Sequence, residues 1–231
     1  MPSDTVLKDS LATLLAQRGF RAADIPVGPR PTADFFVRDG TDTYVIEVKH
    51  RDVVESVADQ VHIDPAGRTN TTSGILSEAV DQLRSSDVDD ALKILWIMSP
   101  PPDRDLRYRQ FESTAYGILI AAGKGTSKPC YYATHADFYR YRDTLDGIAL
   151  GTFGAMLLND LSPRYSRLKM SRLVTLFCGA VRDPSALEAT GDAFVVRGDV
   201  DRTCKSAVID YLATQYGVAI GDLVRLTRFA V

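Results

Sequence analysis

The chain has 231 residues, 45% of them hydrophobic and 25% charged, the proportions of a folded soluble protein with room for a substantial core. Its 27 Lys and Arg against 30 Asp and Glu give a formal charge of -3, which argues against a protein that coats DNA through long-range charge alone. Any nucleic-acid contact must come from a local basic patch, or from metal ions that offset carboxylates and phosphates together. Cys130, Cys178 and Cys204 form no CxxC pair, so neither a disulfide framework nor a zinc site is indicated. Met1-Pro2-Ser3-Asp4 lacks the basic and apolar runs of a signal peptide, and the apolar stretch 147–158 is too short to span a bilayer. The expectation is a cytoplasmic protein with no membrane partner.

Thr5 to Arg18 carries Leu7, Leu11, Leu14 and Leu15 at helical spacing, with Gly19 as a stop signal. Arg21 to Val27 reads as a short strand. Ala33–Val37 and Thr43–His50 are strand candidates joined through Asp39-Gly40, a strong hairpin signal. Residues 51–72 are polar and read as a loop, in which Asn70-Thr71-Thr72 is a chance glycosylation sequon. Ser73–Arg84 is an amphipathic helix with Ile75, Leu76, Ala79, Val80 and Leu83 on one side. The apolar run Ala91–Met98 predicts a buried strand. A helix at Tyr108–Ala122, a strand at Pro129–Thr134 and a helix at 135–146 follow. Mixed segments at 147–180, a strand at Ala193–Val196 and a helix at Arg202–Tyr216 complete the chain. The order describes an α/β layer with a mixed central sheet, here divided into a core at 1–135 and a C-terminal extension or small subdomain at 136–231.

Chemistry concentrates in the hairpin. Side chains alternate between faces along a strand, so Glu47 and Lys49 share one face while Ile46 and Val48 point to the other. Pairing of the two strands brings Asp34 beside Glu47. Two carboxylates at adjacent positions make a hard oxygen site suited to Mg²⁺, with Mn²⁺ as a substitute, and the backbone carbonyl of Val48 offers a further ligand. Lys49 is placed to orient or deprotonate a water and to counter charge building on a phosphate.

Asp34, twelve intervening residues and then Glu47-Val48-Lys49 resemble the PD-(D/E)XK nuclease superfamily. Gly19-Phe20, Ile25-Pro26-Val27, Ala33-Asp34-Phe35-Phe36 and Ile46-Glu47-Val48-Lys49 are similar to the first half of archaeal Holliday-junction resolvases and Mrr-type nucleases. The likeness covers residues 5–50, and 72–98 in element order only. It implies a restriction-endonuclease-like core with a mixed central sheet flanked by helices, plus additional C-terminal α/β elements. It further implies Mg²⁺ at the carboxylates and a glutamine from the following helix, a place that Gln82 fills. Two departures stand out: Ala33 precedes the first acid where the family has Pro, and the first helix offers Lys8, Asp9 and Ser10 where many members have Glu. Asp9 is carried as a ligand candidate.

The expected activity is Mg²⁺-dependent DNA endonuclease cleavage, with Asp34, Glu47 and Val48 as metal ligands, Asp34, Glu47, Lys49 and Gln82 as catalytic residues, and a possible homodimer. Arg164, Arg167, Lys169 and Arg172 around Tyr165 are the candidate DNA contacts, since such groups position a backbone without reading sequence. Arg104, Arg107 and Arg109 form a second basic cluster. The alternatives are an inert nucleic-acid-binding or protein-interaction module of the same fold, or an RNA nuclease.

Overall fold

A computed structural model describes residues 4–26, 31–50, 69–86, 88, 90–99, 104–123 and 126–225. They divide into two compact units, each assembled from separated stretches of chain. The first draws its described residues from Met1–Val54, Gly74–Arg104 and Tyr141–Arg182, and the second from Glu55–Ser73, Asp105–Arg140 and Asp183–Val231. The units therefore interleave along the chain, whereas the sequence reading divides it at 135/136.

The first unit opens with helix α1 (Asp4–Gln17), which buries Leu11 and Leu15, one turn apart. Gly19 ends it with a positive φ of 80°, a conformation that costs glycine little. Strands β1 (Arg21–Asp24), β2 (Phe35–Arg38) and β3 (Thr43–His50) form an antiparallel run. The β2–β3 turn is fixed by Asp39, whose Oδ1 accepts the Thr41 and Asp42 N–H groups at 2.9 and 2.7 Å while Oδ2 accepts the Tyr44 hydroxyl at 2.7 Å. Gly40 supplies the positive φ of 97° that the turn needs.

Helix α2 (Asn70–Ser85) leads to β4 (Leu92–Met98), which pairs parallel with β3 in the register Glu47↔Leu95 and Lys49↔Ile97. Strands β7 (Gly147–Leu150), β8 (Ala155–Leu158) and β9 (Val181–Arg182) extend the sheet to the order β1-β2-β3-β4-β7-β8-β9. It mixes parallel and antiparallel pairs, as expected from the element pattern. One face, carrying Tyr44, Ile46, Val48, Ile94 and Trp96, packs on Leu11 and Leu15 of α1, on Leu168 of α5 (Tyr165–Met170) and on Leu173 of α6 (Arg172–Thr175). Trp96 is fully buried, with its indole N–H donated to the Gly151 carbonyl at 2.8 Å. By alternation the other face carries Val45, Glu47, Leu95 and Ile97. Lys49 meets α2 there, and that helix buries Ile75, Leu76, Ala79, Val80 and Leu83.

The second unit holds helix α3 (Arg104–Tyr116) and a sheet in the order β10-β6-β5-β11, made of β5 (Leu119–Gly123), β6 (Thr126–Tyr131), β10 (Phe194–Val195) and β11 (Ile220–Val224). Short helices α4 (Asp137–Arg140) and α7 (Pro184–Ala189) and the longer α8 (Lys205–Tyr216) belong to it. Tyr116 is the centre of its aromatic core, 5.0 Å from the rings of both Tyr131 and Phe138.

Three expectations are corrected here. The helix expected at Tyr108–Ala122 stops at Tyr116, because Gly117 adopts a φ of 58° where a Cβ would run into the Thr134 and His135 carbonyls, and the apolar residues beyond it enter β5. The helix expected at 135–146 is confined to Asp137–Arg140, after which Thr144 and Leu145 donate their N–H groups back to the Tyr141 carbonyl. Strand β11 lies beyond the last element read from the sequence. The loop expected at 51–72 lies outside the described residues over 51–68, as does Val27; Asn70-Thr71-Thr72 forms the first turn of α2.

Candidate metal and phosphate site

Asp34 precedes the first residue of β2. The β2–β3 ladder ends at Phe35↔Ile46, and Asp34 and Glu47 are each the next residue past that pair. The Asp34 N–H is donated to the Ile46 carbonyl at 3.1 Å, and Asp34 Oδ2 accepts the Val48 N–H at 2.8 Å. Ile46 and Val48 thus turn their backbone groups toward β2, and the Val48 carbonyl is directed to the same edge as its N–H. The other Asp34 oxygen, Oδ1, accepts a charge-assisted hydrogen bond from Lys8 of α1 at 2.5 Å.

Glu47 is only 2% exposed. Its Oε1 lies 3.1 Å from Lys49 Nζ. The same ammonium donates to Glu78 Oε1 and to Gln82 Oε1, both at 2.7 Å. Glu78 and Gln82 are four residues apart on α2 and therefore on one side of it. With the Gln82 oxygen committed to Lys49, its NH₂ remains the group able to donate outward. Asp34, Glu47, Val48, Lys49 and Gln82 accordingly come together within the first unit.

Burial pushes the Glu47 carboxyl up to about 7, the Asp34 charge pushes in the same direction, and Lys49 and Lys8 offset part of the rise. The cause is visible at Oε2, which is buried and has no hydrogen-bond partner. A buried carboxylate oxygen in that position is costly unless a cation meets it. Among the described residues no group of three or more His, Cys, Asp or Glu side chains is gathered into a metal-holding cluster. The oxygen set here is smaller: two carboxylates and a carbonyl. That matches a cation that keeps several waters and takes one or two carboxylates plus a substrate phosphate.

The remaining candidates are placed elsewhere. Arg164 is bound to Asp146 Oδ2 at 2.9 Å and to the Asp143 carbonyl at 2.9 Å. Arg167 is bound to Asp42 Oδ1 at 2.7 Å and to the Asp90 carbonyl at 2.7 Å. Arg172 donates to the Arg18 carbonyl at 2.6 Å and lies over the Phe20 ring. Lys169 rests on Tyr165 of its own helix. All three arginines thus have acceptors in the fold. In the second basic cluster, Arg104 and Arg109 are exposed and Arg107 donates to Gln110 at 3.2 Å. Asp9 is exposed and lines, with Lys8, Asp24, Thr32 and Asp34, a cleft of about 290 Å³.

Two partners lay outside the expected catalytic set. Glu78 reaches Lys49 while remaining 61% exposed. Lys8 takes the first-helix position where an acid was sought. Its signal was present in the sequence, because Lys8, Leu11 and Leu15 fall at i, i+3 and i+7 on one helical face.

Comparison with protein-family models, curated proteins and solved structures returned no match to this chain.

Proposed function

We propose that the chain is a divalent-metal-dependent nuclease of the PD-(D/E)XK type that hydrolyses phosphodiester bonds in DNA. The observation that carries this reading is the buried Glu47 Oε2, without a hydrogen bond, beside an Asp34 carboxylate that the same strand holds through the Val48 N–H. Asp34, Glu47 and the Val48 carbonyl would hold Mg²⁺, or Mn²⁺ in its place. A metal bound there supplies a Lewis acid for the phosphoryl oxygen and lowers the pKa of a coordinated water.

The chain's own residues perform the rest. Val48 N–H fixes the rotamer of Asp34. Lys49, held by Glu47, Glu78 and Gln82, presents a compact positive charge to the attacking water and to the phosphate. Gln82 keeps that ammonium in place through its oxygen and offers its NH₂ to the phosphate or the water. The element order α1–β1–β2–β3–α2–β4 is the proposed restriction-endonuclease-like core, with the later elements as additions. A homodimer would present one site to each strand of a duplex. The reading does not rest on Arg164, Arg167 and Arg172, whose guanidinium groups already have protein acceptors.

The test is incubation with duplex, single-stranded and branched DNA and with RNA, in Mg²⁺ and in EDTA. Cleavage of a DNA substrate that needs Mg²⁺ is the expected result. RNA cleaved in place of DNA would overturn the substrate assignment. Binding that survives EDTA with no cleavage under any condition would overturn the activity in favour of an inert binding module.

A further inference from the structure

Asp34 already has a cation. Its Oδ2 is taken by the Val48 N–H and its Oδ1 by the Lys8 ammonium at 2.5 Å, in a pair whose side chains are 14% and 34% exposed respectively. Lys8 comes from α1, whose Leu11 and Leu15 are anchored in the core beneath β3, so the ammonium is delivered from a rigid element. Across the site, Asp34, Glu47 and Glu78 face Lys8 and Lys49, so Lys8 offsets part of the negative charge that would draw a free divalent ion. An ammonium and a divalent cation on the same carboxylate oxygen repel each other strongly, because little water separates them.

We infer that Lys8 is a resident counter-ion of the metal site: its ammonium occupies the cation position at Asp34 and must be displaced for a divalent metal to bind there, so Lys8 sets the metal affinity. This inference rests on the proposed nuclease reading. It assigns Lys8 a role opposite to that of an acid on the first helix, which would add a ligand and tighten binding. Here the helix contributes a competitor. A metal enters the free protein at the cost of the Lys8–Asp34 pair.

The experiment is titration of the intact protein with Mn²⁺ alone, following free Mn²⁺ by electron paramagnetic resonance. Lys8→Met, which keeps most of the apolar stem, binds Mn²⁺ about tenfold more tightly than the wild type, the equivalent of one charge-assisted hydrogen bond no longer to be broken. Lys8→Gln, an independent neutral variant, shifts in the same direction. Lys8→Arg retains the charge and stays close to the wild type. A merely structural Lys8 predicts unchanged or weaker binding in the neutral variants, and that result overturns the inference. If the wild type and the Lys8 variants bind with equal affinity at a site that Asp34→Asn abolishes, the competitor role fails and the metal site stands. If no protein shows saturable binding sensitive to Asp34→Asn, the metal-site reading fails and this inference fails with it.

Discussion

Glu47→Gln is expected to gain stability over the wild type as pH rises and, as a nuclease, to lose nearly all of its cleavage. The sign follows from linkage. Glu47 is held protonated in the folded chain up to about 7, against 4.5 for its ordinary value. Between these values the folded state binds more protons than the unfolded state, so wild-type stability falls as pH rises through that window. The penalty is fully present above about 7 and absent well below 4.5. Glutamine does not titrate. The stability of the variant relative to the wild type therefore improves by up to about 3 kcal/mol between the two ends of the window, as read from urea unfolding at a series of pH values. On the proposed reading, Mg²⁺ favours the ionised carboxylate and flattens the wild-type profile, and cleavage falls on the order of a thousandfold because an anionic oxygen ligand would be gone. A parallel pH profile for the two proteins would contradict the electrostatic account of Glu47.

Asp146→Ala is the substitution expected to damage the fold most. Asp146 is fully buried, yet three donor groups converge on its carboxylate. Its Oδ2 accepts the Lys93 N–H at 2.7 Å and the Arg164 Nε at 2.9 Å, while Oδ1 accepts the Ser162 hydroxyl. Its own N–H is donated to the Lys93 carbonyl at 3.0 Å. One carboxylate thus ties the start of β4 to the start of β7 and to the turn before α5. Alanine leaves the Lys93 N–H, the Ser162 hydroxyl and the Arg164 guanidinium without this acceptor. Removing one partner of such a buried pair costs about 3–5 kcal/mol, a fall in Tm on the order of 10 °C for a chain of this size. Circular dichroism melting measures it. A change below about 1 kcal/mol would show that water replaces the carboxylate at little cost.

The contrast between Glu47 and Asp146 shows what the sequence made legible. The hairpin was readable because its signals are local: Asp39-Gly40 fixes the turn, the turn fixes the register, and the register brings Asp34 to the stretch of β3 that holds Glu47 and Val48. Gln82 was readable because it borders an apolar stripe at helical spacing on α2. Asp146 carried no such signal. Its partners lie 53, 16 and 18 residues away, and nothing in a run of Asp and Arg residues says which carboxylate will be sealed under a sheet. For the same reason the sequence did not reveal the acceptors of the arginines near Tyr165: Arg164 reaches Asp146 and Arg167 reaches Asp42. Tertiary context also overrode local propensity where Gly117 ended α3 and the apolar residues after it entered β5.

Lys49 is the residue on which the central claim can be tested most directly. Its ammonium is bound by Glu47, Glu78 and Gln82 but is not itself a metal ligand. Lys49→Ala should therefore retain Asp34-dependent Mn²⁺ binding while losing cleavage. The decisive measurement is the Mg²⁺-dependent rate of DNA cleavage by Lys49→Ala beside the wild type, from identical purifications. A fall of about a hundredfold or more is the predicted result; equal rates in the two proteins would contradict the account.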